Sequence, residues 1–310
     1  MSTILVTGAG GSLGANVVRE ARDRGHTVRA LVRDPARAKL PDGIEAIRGD
    51  ALDAAAVRSA ATGCEAVFHL ANVVIGDAWI ETTAKLLEAA IAACAGGARL
   101  VFPANVWVFG RGSSQLVDET VPHAPCSKLG HARAAKERAI RDAKIRWTMI
   151  RLPEFYGPHV QTLTGGPLRA IAHGKRGRWW GPGDRTIEFV YMPDAAAALV
   201  EIGLAPDVDG EVFHLPGVAP TTARAFFDRA IALAGGGACS VMPARLVRIA
   251  GVVHPLARWF ADILHLWEDP ILLDGTKLRA RFPDLARTSY DDGIAATLAW
   301  HRAHRDARIY

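Results

Sequence analysis

Short β-branched runs alternate with alanine-rich amphipathic stretches along the first half of the chain. The predicted strands cover residues 3–8, 27–32, 44–50, 65–71, 99–104 and 145–152. The predicted helices cover residues 13–25, 53–63, 79–97 and 129–143, and Asp53 is the predicted N-cap of the second helix. Strands this apolar, alternating with helices, belong in a parallel sheet that is covered on both faces. The predicted fold class is therefore α/β, with a doubly wound parallel sheet.

The pattern changes after residue 152. Glycine and proline crowd residues 157–183, and the helical stretches that follow are longer and more apolar. We therefore divide the chain into a first domain, 1–152, and a smaller, mainly helical C-terminal domain on the substrate side, 153–310. Residues 186–215 read as a strand and helix that return to the first sheet, so the two domains are expected to be interleaved.

Composition excludes several classes of protein. Lys and Arg number 37 against 32 acidic residues, a scattered net charge of +5 that predicts no nucleic-acid partner. The four cysteines form no CxxC pair and the HxxH of residues 301–304 lacks a third ligand, so we expect no metal site and no disulfide. No apolar run reaches about 20 residues, and the chain opens on a strand. We expect a cytoplasmic protein with no membrane partner and no signal peptide.

The segment TGAGGSLG, residues 7–14, lies where the first predicted strand meets the first predicted helix. Gly8 permits a tight turn, Gly11 allows the backbone to approach a pyrophosphate, and Gly14 allows the helix to pack against the sheet. Backbone N–H groups at the helix start, including those of Ser12 and Leu13, then bind the phosphates. This position at a strand–helix junction predicts a dinucleotide-binding loop.

The end of the second strand selects the nucleotide. Dinucleotide sites for NAD usually place an acidic residue here to bind the ribose 2′-hydroxyl. This chain has Val32, then Arg33, then Asp34. Arg33 can pair with a 2′-phosphate, so we favour NADP, while Asp34 keeps NAD possible. Asp50 and Ala51 follow the third strand, where a carboxylate can accept a hydrogen bond from adenine.

These motifs together resemble the extended short-chain dehydrogenase/reductase family, which includes nucleotide-sugar epimerases and dehydratases. The likeness includes TGxxGxxG at 7–14, GDxxD at 49–53, HLA at 69–71 and RxPxxYGP at 151–158. It implies a Rossmann-type fold and a nicotinamide cofactor. The cofactor contacts that it implies are Gly8, Gly11, Ser12, Leu13, Gly14, Arg33, Asp50, Ala51, Leu70, Ala71, Asn72, Asn105, Arg133 and Pro153.

The family's usual catalytic residues are absent. The resemblance implies a Ser or Thr, a Tyr and a Lys, with the Tyr and Lys one helical turn apart. Alignment of YGxSKxxxE with LGHARAAKE places Leu129 at the Tyr and Arg133 at the Lys, and Glu137 matches the trailing acid. Asn105 stands at the Ser or Thr position. Arg133 can bind ribose hydroxyls, but its pKa, above about 12, prevents it from relaying protons.

Other side chains could supply the proton. Tyr156 lies on a loop that the fold places beside the nicotinamide, or it is a packing residue. Glu154 could act as a general acid if burial raises its pKa, or it lies at the surface. His131 begins the helix that normally bears the Tyr, and is otherwise exposed to solvent. The predicted catalytic residues are accordingly Asn105, Tyr156, Arg133, Glu154 and His131.

Three functions remain open. The first is an NADP(H)-dependent oxidoreductase that reduces a carbonyl or activated double bond of a fairly apolar small molecule. The second is a catalytically silent dinucleotide-sensing or dinucleotide-binding protein. The third is a nucleotide-sugar epimerase or dehydratase, disfavoured because Glu154 and Ile187 replace residues that face a diphosphate in the family. Arg185 keeps that third possibility open.

Two segments bear on partners. Residues 246–270 carry apolar residues at helical spacing, which predicts a cover over the core of the C-terminal domain, an apolar wall for a substrate, or a dimer contact. A homodimer is an arrangement that this fold allows, through the helices predicted near 79–95 and 129–143.

Overall fold

A computed structural model describes residues 1–38, 40–111, 116–160 and 162–305. The chain divides into two compact units, and each unit is assembled from separate segments. Unit 1 consists of Met1–Asn105, Ala132–Arg151 and Ala195–Phe213. Unit 2 consists of Val106–His131, Leu152–Asp194 and His214–Tyr310.

A seven-stranded sheet forms the centre of unit 1. Its strands are β1 (Thr3–Thr7), β2 (Thr27–Val32), β3 (Glu45–Arg48), β4 (Ala66–His69), β5 (Arg99–Asn105), β7 (Trp147–Leu152) and β12 (Glu211–His214). Their order across the sheet is β12-β7-β5-β4-β1-β2-β3. Strand β1 pairs in parallel with both β2 and β4, as the predicted crossovers require. The doubly wound parallel sheet is confirmed.

Helices follow the strands as predicted. They are α1 (Ser12–Asp23), α2 (Ala54–Ala61), α3 (Trp79–Cys94), α4 (Lys128–Asp142) and α6 (Met192–Leu204). The Asp53 carboxylate accepts hydrogen bonds from the N–H groups of Ala55 and Ala56, at 2.9 and 3.2 Å, so this N-cap prediction is confirmed. Fully buried Leu5, Val67 and Leu100 illustrate the apolar core that the sheet shares with the helices.

Unit 2 combines short strand pairs with helices. Its strands are β6 (Leu116–Val117), β8 (Glu154–Tyr156), β9 (Arg176–Trp180), β10 (Thr186–Ile187), β11 (Phe189–Tyr191), β13 (Thr221–Thr222), β14 (Ala238–Met242) and β15 (Leu272–Leu273). Its helices are α5 (Gly165–Ala172), α7 (Ala223–Ala234), α8 (Ala244–Val253), α9 (Pro255–Ile263), α10 (His265–Glu268), α11 (Thr276–Arg281) and α12 (Tyr290–Ala303), with a 3-10 turn at Val106–Val108.

Aromatic side chains form the core of unit 2. The ring of Phe226 lies 4.3 Å from that of Phe189, 5.0 Å from that of Tyr156 and 5.6 Å from that of Tyr290, measured between centroids. These rings come from β8, β11, α7 and α12, four elements that lie far apart in the sequence. Their burial holds the unit together.

Residues 186–215 return to the first sheet only in part, because Ala195–Phe213 belongs to unit 1 whereas β11 belongs to unit 2. Strand β11 pairs in parallel with β8, in a two-stranded sheet separate from the central one. Within 186–215, the central sheet gains only β12. The pairing is explained by β8, a strand just after Pro153 that the sequence analysis did not predict and that supplies β11 with a partner.

Across the described parts of the chain, no helix is both long and apolar enough to cross a membrane. Within the same residues, no cluster of three or more His, Cys, Asp or Glu side chains could hold a metal ion.

Candidate active site

The glycine-rich turn joins β1 to α1 as the sequence predicts. Gly8 has φ of +73°, and a Cβ on it would lie 2.5 Å from the Leu70 carbonyl oxygen and 2.6 Å from the Ala71 nitrogen. A Cβ on Gly14 would overlap the Gly8 carbonyl oxygen. The backbone of this turn is therefore packed directly against the end of β4 and the start of α1, which only glycine permits.

The N-terminus of α1 is open to a ligand. Gly10 and Gly11 are exposed, and no atom would lie within 4 Å of a Cβ on Gly10. Gly11 is the N-cap residue, and Ser12 and Leu13, partly exposed, form the first turn. Backbone N–H groups and the helix dipole at a helix N-terminus favour a phosphate, so the loop fits the pyrophosphate of a dinucleotide.

We expect Gly14→Ala to weaken dinucleotide binding by at least about tenfold, because the added methyl pushes α1 away from the loop that binds the pyrophosphate. Fluorescence titration with the reduced cofactor measures this loss. Gly96→Ala is the matched control, since a Cβ there has nothing within 4 Å. Equal affinity in the Gly14 and Gly96 variants would contradict the assignment of the loop.

The turn after β2 carries the residues predicted to select the cofactor. Arg33 is exposed. The Asp34 carboxylate accepts a hydrogen bond from the Ala36 N–H at 3.1 Å and pairs with Arg37 at 3.4 Å. Asp34 is therefore engaged within its own turn. After β3, Asp50 is exposed, and its Oδ1 accepts the Leu52 N–H at 3.0 Å.

Trp79 of α3 contacts both Asn72, which follows β4, and Arg133 of α4. The Trp79 indole donates a hydrogen bond to Asn72 Oδ1 at 3.0 Å. The Arg133 guanidinium carbon lies 5.2 Å from the Trp79 ring centroid. Burial lowers the pKa of Arg133 to about 10, so the guanidinium stays charged at neutral pH. Two predicted cofactor contacts, Asn72 and Arg133, thus both contact the Trp79 side chain.

Sequence reasoning missed Lys136, which belongs to the same cluster. Its side chain is buried, its ammonium lies 4.1 Å from the Trp79 ring centroid, and it donates to the Thr83 hydroxyl. Burial and the neighbouring Arg133 lower the pKa of Lys136 to about 7. A tryptophan four residues before a threonine on α3 was the available signal, because an indole face attracts cations.

Leu129, the residue that the sequence analysis aligned with the family's tyrosine, is fully buried. Glu137, aligned with the family's trailing acid, is almost fully buried, as is Arg151. The two side chains form two hydrogen bonds of 2.9 Å. Arg151 also donates to the Asn105 carbonyl oxygen at 2.6 Å. Through Arg151, the Glu137–Arg151 pair connects α4 with the end of β5, where Asn105 stands at the predicted Ser or Thr position.

His69, at the end of β4, stays neutral. Its Nδ1 lies 3.3 Å from the Thr7 hydroxyl, and burial, with Lys136 and Arg133 nearby, lowers the pKa of His69 to about 3. Thr7 also accepts the N–H groups of Leu70 and Ala71, predicted cofactor contacts, at 3.2 and 3.4 Å, so the neutral His69 belongs to the hydrogen-bond network that holds them.

The three proton-donor candidates in unit 2 differ in burial and in hydrogen bonding. His131 is exposed, and its N–H bonds to the Ser127 carbonyl oxygen, so its placement is that of a surface residue. Tyr156 is 1% exposed, and its hydroxyl has no hydrogen-bond partner among the described residues. Burial raises the pKa of Tyr156 far above its usual range. A phenol this poor as an acid, enclosed by aromatic rings, packs the core, so we do not assign the proton transfer to it.

Glu154 begins β8, two residues beyond the carboxyl end of β7, and follows the buried Pro153. Its Oε1 is buried and lacks a hydrogen-bond partner in the part of the chain that the structure describes. Burial raises the pKa of Glu154 to about 7, against smaller opposing effects of Thr162 and the Phe155 backbone. This carboxyl exchanges a proton near neutral pH, as a general acid must.

The parallel sheet, the glycine-rich turn and the open N-terminus of α1 define a class: a dinucleotide-binding α/β protein. The profile of the NAD dependent epimerase/dehydratase family matches residues 4–215 of the chain. The protein therefore belongs to that family, and is a nicotinamide-dinucleotide-dependent enzyme of the extended short-chain dehydrogenase/reductase kind.

The relatives of this chain include two reductases, and a solved structure shares its fold. The chain is 29% identical over 252 residues to a 2-alkyl-3-oxoalkanoate reductase of Stenotrophomonas maltophilia, covering 75% of this chain and 76% of that protein. It is 36% identical over 135 residues to cinnamoyl-CoA reductase 1 of Oryza sativa subsp. japonica, 38% of this chain and 39% of that one. A UDP-glucuronic acid 4-epimerase from Bacillus cereus in complex with NAD superposes with a TM-score of 0.76 at 18% identity, over 97% and 99% of the two chains, and shows the fold alone.

Proposed function

We propose that this protein is an NADPH-dependent reductase of a carbonyl, or an activated double bond, in a fairly apolar small molecule, with Glu154 as the proton donor. The observation that carries the proposal is the Glu154 carboxyl, whose Oε1 is buried and unbonded by any described residue and whose pKa is near 7. It supplies the acid that the missing tyrosine and lysine would otherwise provide.

The chemistry requires two transfers. Held by the glycine-rich turn, Arg33 and Arg133, NADPH would supply a hydride to the carbonyl carbon, and the carbonyl oxygen would take a proton as the ketone becomes an alcohol and the cofactor becomes NADP⁺. Protonated Glu154 gives its proton to that oxygen and is left as a carboxylate, which recovers a proton from water. The cost of leaving this carboxylate buried keeps the acid form populated near pH 7.

Unit 1 supplies cofactor orientation in this proposal. Arg133 lies over the Trp79 ring and, as a permanent cation, binds the ribose hydroxyls beside the nicotinamide. Asn105 ends β5, and its amide polarises the substrate carbonyl as a hydrogen-bond donor. The Arg151 bond to the Asn105 backbone supports this role by fixing the end of the strand.

Arg33 and Asp34 support the preference for NADPH. Arg33 is exposed at the end of β2, where the adenosine ribose lies in dinucleotide sites of this fold. The Asp34 carboxylate is already bound to the Ala36 N–H and to Arg37. A guanidinium open to a 2′-phosphate beside a carboxylate engaged elsewhere favours the phosphorylated cofactor.

We expect Arg33→Ala to weaken NADPH binding by about 10- to 100-fold and to leave NADH binding unchanged, since it removes only the charge-assisted bonds to the 2′-phosphate. Fluorescence titration with each cofactor measures this. Arg58→Ala, an exposed arginine on α2, is the control and leaves both affinities intact. An NADH preference in the unmodified protein would overturn the assignment of NADP.

The substrate class is argued from the second unit. Ile187 is a buried apolar residue, and the Glu154 carboxyl, with a pKa near 7, is either neutral or negative. Neither side chain therefore offers a positive charge to a diphosphate. This disfavours a nucleotide-sugar substrate. The likeness to a 2-alkyl-3-oxoalkanoate reductase supports an apolar chain beside a carbonyl.

The decisive assay follows NADPH oxidation at 340 nm with a panel of 3-oxo acids, their esters, aryl ketones and enones, from mildly acidic to mildly alkaline pH. Turnover of one class, fastest below pH 7, supports the proposal. Tight NADPH binding with no turnover across the panel would favour a dinucleotide sensor instead.

A further inference from the structure

Helix α8 presents its apolar face to solvent. Leu246, Ile249, Val252 and Val253 are 47%, 65%, 85% and 85% exposed. Leu246, Ile249 and Val253 recur at spacings of three and four, so they share one face of the helix, and Val252 adjoins it. The outward orientation is the reverse of what a surface helix on a soluble domain shows. We call these four residues the α8 stripe.

The opposite face of α8 is occupied by the helix that follows it. Val247 is fully buried, and a Cβ on Gly251 would lie 3.2 Å from the Arg258 Cα, in α9. Ala257 of α9 is buried as well. The packing with α9 therefore uses the Val247 face of the helix and leaves the α8 stripe outside.

The segment that carries the stripe is basic. Residues 243–261 hold three arginines, Arg245, Arg248 and Arg258, and no acidic residue. Arg245 is exposed and has no ion pair in the described chain, whereas Arg248 pairs with Glu268 at 2.6 Å. Glu268 also pairs with Arg111 at 3.0 Å, so this carboxylate is shared between two cations. The stripe is thus bordered by positive charge.

We infer that the α8 stripe inserts into the interfacial layer of an anionic phospholipid bilayer, with Arg245 on the lipid phosphates. Exposed aliphatic side chains bordered by arginines have the composition of a helix that lies in a membrane surface. In this arrangement the helix lies in the membrane surface and does not cross the bilayer. The inference does not depend on the proposed reaction.

A second copy of this chain fits the stripe less well. In a symmetric contact the same patch meets itself, which brings Arg245 and Arg248 of two copies onto one apolar surface. Arg248 stays paired with Glu268 at 2.6 Å, but Arg245 has no carboxylate partner among the described residues. Anionic headgroups supply the missing negative charge at the border of the stripe while acyl chains cover its centre.

The inference departs from the sequence-based expectation of no membrane partner. Apolar residues at helical spacing in 246–270 predicted a core cover, a substrate wall or a dimer contact, all of which bury the stripe. Exposure is the property that the sequence could not supply, since it depends on which face of α8 packs against α9.

Flotation of the full chain with liposomes tests the inference. We expect it to float with vesicles of equal parts phosphatidylcholine and phosphatidylglycerol, to bind pure phosphatidylcholine weakly, and to lose binding as salt is raised. Val252→Asp with Val253→Asp should reduce the vesicle partition coefficient by at least about tenfold. Arg245→Ala should reduce it for anionic vesicles only.

Leu233→Asp is the matched control, because Leu233 is 43% exposed on α7, and it should leave binding unchanged. Circular dichroism melting verifies that each variant is folded. Absence of binding by the unmodified chain, or binding that the paired valine substitutions leave intact, overturns the inference. A dimer in sedimentation that those substitutions convert to a monomer also overturns it, and assigns the stripe to a second copy.

Discussion

Glu154→Gln is expected to lower kcat for carbonyl reduction by about 10²–10⁴-fold, the usual contribution of a positioned general acid, while NADPH affinity is unchanged. The amide is isosteric with the protonated carboxyl and keeps an oxygen at the same place, but it has no proton to give. Steady-state kinetics on the best substrate of the panel, with cofactor titration alongside, measure both quantities.

The pH dependence gives the same prediction an independent readout. Because the pKa of Glu154 is about 7, the protonated form declines as pH rises through 7, and kcat/KM of the unmodified enzyme should fall above that pH. This limb should vanish in Glu154→Gln.

Glu188→Gln is the control for the pH profile. Burial raises the pKa of Glu188 to about 7 as well, but its carboxyl oxygens accept the N–H groups of Gly217 and Leu273, at 3.0 and 2.8 Å. This carboxyl has a structural role, so the folded variant should keep the alkaline limb. If the limb instead disappears in the Glu188 variant and persists in the Glu154 variant, Glu154 is not the donor.

Arg151→Met should lower the free energy of unfolding by about 3–5 kcal/mol, since it leaves the Glu137 carboxylate buried without its bidentate partner. Both side chains are almost fully buried, 2% and 1% exposed, so water cannot solvate the abandoned charge. The bond from Arg151 to the Asn105 carbonyl oxygen is lost as well. Denaturant titration, followed by circular dichroism, measures the change.

Two variants separate this pair from ordinary surface charges. Arg141→Ala removes a partner that lies 3.4 Å from Glu137 on a side chain 35% exposed, and should cost less than about 1 kcal/mol. The double variant Arg151→Met with Glu137→Met replaces the pair by apolar groups and should recover much of the lost stability. A loss below about 1 kcal/mol in Arg151→Met alone would contradict the account.

The sequence predicted best where local chemistry decides the structure. The strands that end at Thr7 and Val32, the N-cap at Asp53 and the steric demands on Gly8 and Gly14 all follow from short-range rules, and the structure has them. The membership of the family likewise rested on motifs within single loops.

Long-range packing decided the rest. The fate of Tyr156 depends on rings from α7 and α12, more than 60 residues away, and periodicity cannot reveal such a contact. Lys136 was missed because its environment comes from Trp79 and Thr83 on the neighbouring helix α3. The pairing of β11 with β8 is a further case, because strand pairing joins segments about 35 residues apart.

The segmented composition of the two units has a consequence for synthesis on the ribosome. Every residue of unit 1 precedes His214, so its sheet can close with β12 while the last third of the chain is still being made. At that moment Tyr156 and Phe189 of unit 2 have been synthesised, but their ring partners Phe226 and Tyr290 have not. The nascent chain therefore carries a finished cofactor fold together with uncovered aromatic side chains, an interval in which a chaperone has a defined surface to protect.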